Sequence, residues 1–154
     1  MDAATSTTRS NTDKLAALIA AKLRLVELLA RLGRRQLELI DGGEMTDLVK
    51  LLAAKQTVLD ELQAADRQLA PFRQEDPEHR VWRSPAERAA CQAQADRCNA
   101  LLSEAMDLER RAEAAMLQRR SAAAATLEEV HAVANAHAAY AHSAFPATTL
   151  RAEG

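Results

Sequence analysis

At 154 residues, with a net charge of −2 and a pI near 6.1, the chain has the length of one domain and lacks the basic excess that binding to nucleic acid or to an anionic membrane requires. Hydrophobic residues make up 48%, but much of this is alanine and aromatics reach only 3%, which suits a thin leucine seam rather than a thick layered core. Four glycines and four prolines leave little turn chemistry for a sheet, and no convincing period-2 run of Val, Ile or Thr occurs, so the fold is read as all-α.

Residues 1–12 are rich in Ser and Thr with few apolar side chains, and are read as a disordered N-terminal segment. Asp2 is acidic and the first apolar stretch is broken by Lys22 and Arg24, which does not fit a secretory signal. No apolar run approaches the roughly 20 residues needed to span a bilayer, so no membrane insertion is expected. A first helix starts near Asn11–Asp13. Leu15, Leu18, Leu25, Leu29, Leu32 and Leu39 follow a 3-4 spacing, with Lys22 and Gln36 in the remaining seam slots and Ile19, Val26 and Ile40 widening the stripe. Gly42-Gly43 predicts a left-handed cap.

A second helix begins near Glu44–Thr46, with the seam Leu48, Leu51, Lys55, Val58, Leu62, Ala65 and Leu69 widened by Leu52 and Leu59. The short glycine turn makes the pair an antiparallel αα-hairpin. Pro71 is expected to stop it. Residues 71–84 form a connector in which Phe72 and Trp82 plug the end of the bundle or, alternatively, offer a partner surface.

The third helix is the longest feature. Ala86 to Phe145 runs for sixty residues without Gly or Pro, and Ser84-Pro85-Ala86-Glu87 is a capping-box start. A continuous helix of that length would span about 90 Å. Cys91, Gln94, Cys98, Leu101, Ala105, Leu108, Ala112 and Ala115 fall at heptad spacing, widened by Leu102 and Met116. The two cysteines, seven apart on one helix and so about 10 Å apart along its axis, cannot form a disulfide with each other; they are read as small buried thiols in a reducing cytoplasm. Beyond Met116 the seam fades into alanine. A second, weaker stripe follows: Leu127, Val130, Val133, His137 and Tyr140, continuing to Phe145 and Leu150. The expected architecture is an antiparallel three-helix bundle over residues 13–118, followed by an extended or mobile C-terminal helix and tail over 119–154, with a separate short helix at the C-terminus as the alternative.

The motifs of chemistry are sparse. One Glu-x-x-His step, Glu128 to His131, lacks the second that a di-iron bundle needs, and His131, His137 and His142 are not spaced as an i, i+4 ligand pair. There is no Gly-rich phosphate loop and no nucleophile elbow. The expectation is a protein without catalytic residues, cofactor or metal, whose business is protein binding. Leu127, Val130, Val133, Tyr140 and Phe145 are the candidate partner-binding residues, because a long helix overhanging a short hairpin leaves an apolar stripe for another helix to cover.

The hairpin resembles the FlgN family of flagellar export chaperones. The likeness rests on Gly43-Glu44-Met45-Thr46-Asp47-Leu48, then Leu51-Leu52, Lys55, Leu59 and Leu62, and on Asn99 before Leu101-Leu102 in the third helix. It covers roughly residues 15–118; Glu44 stands where the family usually has Asp, and nothing after about Ser121 aligns. The resemblance implies a small cytoplasmic α-helical chaperone that binds the C-terminal helical region of hook-associated proteins of the FlgK and FlgL type, prevents their premature assembly and delivers them to the type III export gate. The alternative is a self-associating scaffolding coiled coil, in which the same stripe pairs with a second copy in a homodimer.

Overall fold

The computed structural model describes residues 2–144. Among them are three α-helices, one short 3-10 turn and no strand: α1 covers Asp2–Gly42, α2 covers Met45–Arg73, and α3 covers Pro85–Ala144. The fold is all-α, as the composition requires. The chain divides into two compact units, Met1–Ala115 and Met116–Gly154.

The ends of the helices follow from local chemistry. Gly43 adopts φ 70°, a left-handed conformation that costs a glycine little. Its N–H donates to Ile40 O at 3.1 Å and the Glu44 N–H donates to Leu39 O at 2.9 Å, the paired bonds of a Schellman motif that close α1. At the start of α3 the Ser84 hydroxyl accepts from the Glu87 N–H at 3.1 Å, the N-cap that the sequence predicts.

Two boundaries differ from expectation. Residues 2–12, read as disordered, lie in α1, whose start is tied to the connector at Thr12. That side chain is buried, and its hydroxyl oxygen lies 2.8 Å from Val81 O and 2.9 Å from Arg9 O. The hydroxyls of Thr7 and Thr8 donate back to the carbonyls of Ala3 and Ala4, so the polar composition is absorbed by i−4 bonding rather than opposing the helix. Pro71 does not stop α2, which runs to Arg73. A proline in a last turn forfeits only one backbone bond, and Phe72, buried against Leu15 and Leu69, anchors the extra residues. α3 is continuous to Ala144, and the alternative of a separate short helix at the C-terminus falls outside the described residues.

The seams of α2 and α3 match their heptads. Leu48, Leu51, Val58, Leu62, Ala65 and Leu69 are buried along α2, and Cys91, Cys98, Leu101, Leu108 and Ala112 along α3. On α1 the expected seam is followed in part: Leu15, Leu29, Gln36 and Leu39 are buried with Thr12, Val26, Ala30, Gly33 and Ile40, whereas Leu18, Leu25 and Leu32 are half-buried. The helix faces two partners, so its apolar stripe is wider than a single seam. Gly33 permits a close approach, since a Cβ there would lie 3.2 Å from Leu108 Cδ1. Three clusters stack along the bundle: Leu15, Leu69 and Phe72 with Trp82 at one end; Val26, Leu29, Val58, Leu62 and Leu101 in the middle; and Leu39, Ile40, Leu48, Leu51 and Ala112 at the other. Phe72 and Trp82 therefore do plug the bundle end.

Charged pairs record the register. Arg83 forks onto both carboxylate oxygens of Asp13 at 3.0 and 2.6 Å, Arg97 meets Glu27 at 3.4 Å, and Arg34 meets Glu104 at 2.6 Å. The two α1–α3 pairs, like the pair that Asp13 makes with Arg83 just before α3, are each separated by 70 residues, a whole number of heptads, so the two helices run parallel in constant register. The polar seam slots are also used. Lys22 Nζ reaches Asp66 Oδ1 at 2.9 Å across the α1–α2 interface, and Lys55 Nζ donates to buried Gln36 at 2.9 Å and to Glu109, joining all three helices in one layer.

Candidate functional site

Of the five residues singled out from sequence, four lie on the second unit as an exposed apolar stripe of α3. Leu127 and Val130 are 58% and 57% exposed, Val133 and Tyr140 70% and 71%. Phe145 lies outside the described residues. Every residue from Met116 to Ser143 is exposed, so no core holds this stretch in helical form. Its composition does: ten of the twenty-eight residues from Met116 to Ser143 are alanine, the strongest helix former. A helix maintained by propensity rather than packing is free to present side chains, and what it presents is one apolar face with a polar-tipped ring at Tyr140. Leu117, 63% exposed, adds to the apolar surface nearer the start of the unit.

A second feature lies within the first unit, where the end of α2, the connector and the start of α3 surround an open groove of about 320 Å³. Its apolar floor includes Leu15, Leu69, Phe72, Trp82 and Cys91. Its charged lining is of one sign: Lys22 from α1, Arg73 from α2, Arg80 from the connector and Arg88 from α3, with no carboxylate among the lining residues. The carboxylates that pair with these cations belong to residues outside the lining. Asp66 meets Lys22 and Arg73, Glu75 lies 3.8 Å from Arg80 Nε, and Glu78 lies 3.5 Å from Arg88. Arg80 also donates to Phe72 O at 2.6 Å, which fixes the connector over the α2 terminus. Its Nε is buried without a hydrogen-bond acceptor.

The electrostatics of the groove favour structure over reactivity. Burial raises the Cys91 thiol above its ordinary pKa, against the opposing charge of Arg80. Burial also raises Cys98, with Lys22 opposing and Glu27 adding to the rise. Both thiols are free and stay protonated at neutral pH, which leaves them poor nucleophiles. Burial pushes Asp66 upward, but the hydrogen bonds and charges of Lys22 and Arg73 outweigh it and hold the carboxyl below its usual value. No group of three or more His, Cys, Asp or Glu among the described residues could hold a metal ion, and no described helix is long and apolar enough to cross a membrane.

Sequence reasoning found the exposed stripe and missed the groove. The stripe announces itself by spacing along one helix. The groove is assembled from three helices and a connector, and Arg73, Arg80 and Arg88 share no period. The available signal was the single tryptophan between prolines 77 and 85, with arginines on either side of it.

The fold is an all-α helical bundle that carries these two exposed surfaces. No family model, curated protein or solved structure matches the chain.

Proposed function

We propose that the chain is a cytoplasmic flagellar export chaperone of the FlgN type. In this reading the exposed face of α3 around Leu127, Val130, Val133 and Tyr140 docks the amphipathic C-terminal helix of a hook-associated protein, keeps it from assembling, and releases it at the export gate. The observation that carries the reading is the stripe itself: four large side chains, each more than half exposed, on a stretch of α3 from Met116 to Ser143 that buries no residue. The likeness of residues 15–118 to the family supports it as well. Covering such a face with a client helix recovers on the order of 1.5–3 kcal/mol for each large side chain that becomes fully buried. Association and side-chain ordering consume much of that, leaving a reversible complex. A carrier that must surrender its cargo needs reversibility.

The test is a titration of the chain with a hook-junction C-terminal peptide and with the cytoplasmic domain of the export gate, for the wild type and for Val133→Asp with Tyr140→Ala. Binding to one of the two should weaken by about 2 kcal/mol or more, the threshold of a hot spot. The thermal melt should stay nearly unchanged, because neither side chain is buried. Unchanged binding to both partners would sink the proposal. A dimer by light scattering that the double variant converts to monomer, with no client binding, would assign the face to self-association.

A further inference from the structure

The groove of the first unit combines three properties. It is open, its floor is apolar and aromatic, and the charges lining it are all positive. A bundle end sealed only for packing would be closed by apolar contacts, with its cations directed to water. Arg73, Arg80 and Arg88 line the groove, and only Arg73 has a carboxylate at the usual hydrogen-bond distance, since Glu75 and Glu78 lie 3.8 and 3.5 Å from Arg80 and Arg88. An incoming carboxylate would pair with these guanidinium groups in the charge-assisted form they favour.

The groove's shape narrows the occupant. Along α3 its lining extends from Arg88 to Asn99, roughly 16 Å of helix axis. The cations come from four different elements rather than converging on one point, which suits several carboxylates spaced along a chain better than one headgroup. We infer that this groove is a docking site for an acidic amphipathic segment of a partner protein, with one or two large apolar side chains set over Phe72, Trp82 and Cys91 and flanking Asp or Glu side chains paired with Arg73, Arg80 and Arg88. This site is separate from the α3 stripe and stands whether or not the export-chaperone reading does.

Trp82 lines the groove and is the only tryptophan in the chain, so its fluorescence reports occupancy directly. The probe is a synthetic peptide of about four helical turns, carrying Leu and Phe on one face and Glu on both flanks. Its control replaces each Glu with Lys. The acidic peptide should saturably change Trp82 emission, lose affinity as salt rises, and leave the response unchanged when Val133 and Tyr140 are substituted. Arg73→Glu with Arg88→Glu should weaken it at least about tenfold. Both side chains are more than half exposed, so the variant should fold, and a thermal melt verifies that; Arg73→Ala with Arg88→Ala is the milder version. Absence of binding, equal binding of the lysine peptide, or no loss on charge reversal overturns the inference. So does saturable binding of decanoate without peptide binding, which would make the groove a site for small anionic amphiphiles. Peptide-free association of the chain abolished by the same charge reversal would give the groove to a second copy, and also overturns it.

Discussion

Lys55→Met is the perturbation that tests the polar layer joining the three helices. In the folded chain the Lys55 ammonium is largely buried and donates to Gln36 and to Glu109. Gln36 is 6% exposed, whereas the Glu109 side chain is 43% exposed. Methionine keeps the unbranched stem and removes the charge. The buried Gln36 carbonyl then loses its donor, at a cost of about 1–3 kcal/mol. The ion pair to half-exposed Glu109 contributes at most about 1 kcal/mol more. Against these stands relief from desolvating an ammonium, several kcal/mol for a fully buried ion but largely offset here, where the side chain is 13% exposed and the head keeps two partners. The balance is a net loss of about 1–3 kcal/mol, read as a fall in urea midpoint at constant m-value by circular dichroism. Gln36→Leu combined with Lys55→Met removes both partners and should return stability to the wild-type level or above it. The coupling between the two changes should therefore be on the order of 1–2 kcal/mol. A single variant as stable as the wild type, or two changes that simply add, would refute the layer as an interdependent unit.

Two further outcomes are expected. Leu29→Ala and Leu101→Ala, which meet in the central cluster, should each lose about 2–4 kcal/mol in denaturant unfolding, whereas Arg110→Ala, on the surface beside Asp107, should lose under about 0.5 kcal/mol. Asp66 has its pKa lowered in the folded chain, so its contribution is present above the ordinary carboxylate range and disappears as pH falls through the folded value. Asp66→Asn should therefore cost roughly 0.5 kcal/mol near neutral pH, small because the side chain is 45% exposed, and the gap to the wild type should close below about pH 4 in paired thermal melts.

How far the fold could be read from the sequence depended on how many neighbours each helix has. α2 and α3 bury one line of residues each, and alternating steps of three and four from Leu48 and from Cys91 reach every residue of that line. α1 packs on both partners, so the leucine period marks only part of its buried face. Leu18, Leu25 and Leu32 end up half-buried while Thr12 and Gly33 are covered. A hydrophobicity pattern cannot nominate a threonine or a glycine for the core. Thr12 is there because Val81 O supplies an acceptor across 69 residues of chain, and Gly33 because Leu108 needs its space. Pro71 misled for a related reason. Its cost is local and small in a last turn, and the contact that overrides it, Phe72 on Leu15 and Leu69, is not local.

The same division separates the two candidate surfaces. The stripe from Leu127 to Tyr140 lies on one element, so spacing alone placed it, and the alanines around it both keep the helix and leave it uncovered. The groove needs Lys22, Arg73, Arg80 and Arg88 brought together from residues far apart in the chain, and its sign appears only once the carboxylates of Asp66, Glu75 and Glu78 are seen to fall outside its lining. A net charge of −2 conceals this arrangement, because the counting that excludes a basic protein averages over exactly the local separation of charge on which an acidic segment would dock. Whole-chain charge therefore argues against polyanions as partners while leaving a short acidic helix, which needs only a local set of cations over an apolar floor, compatible with the molecule.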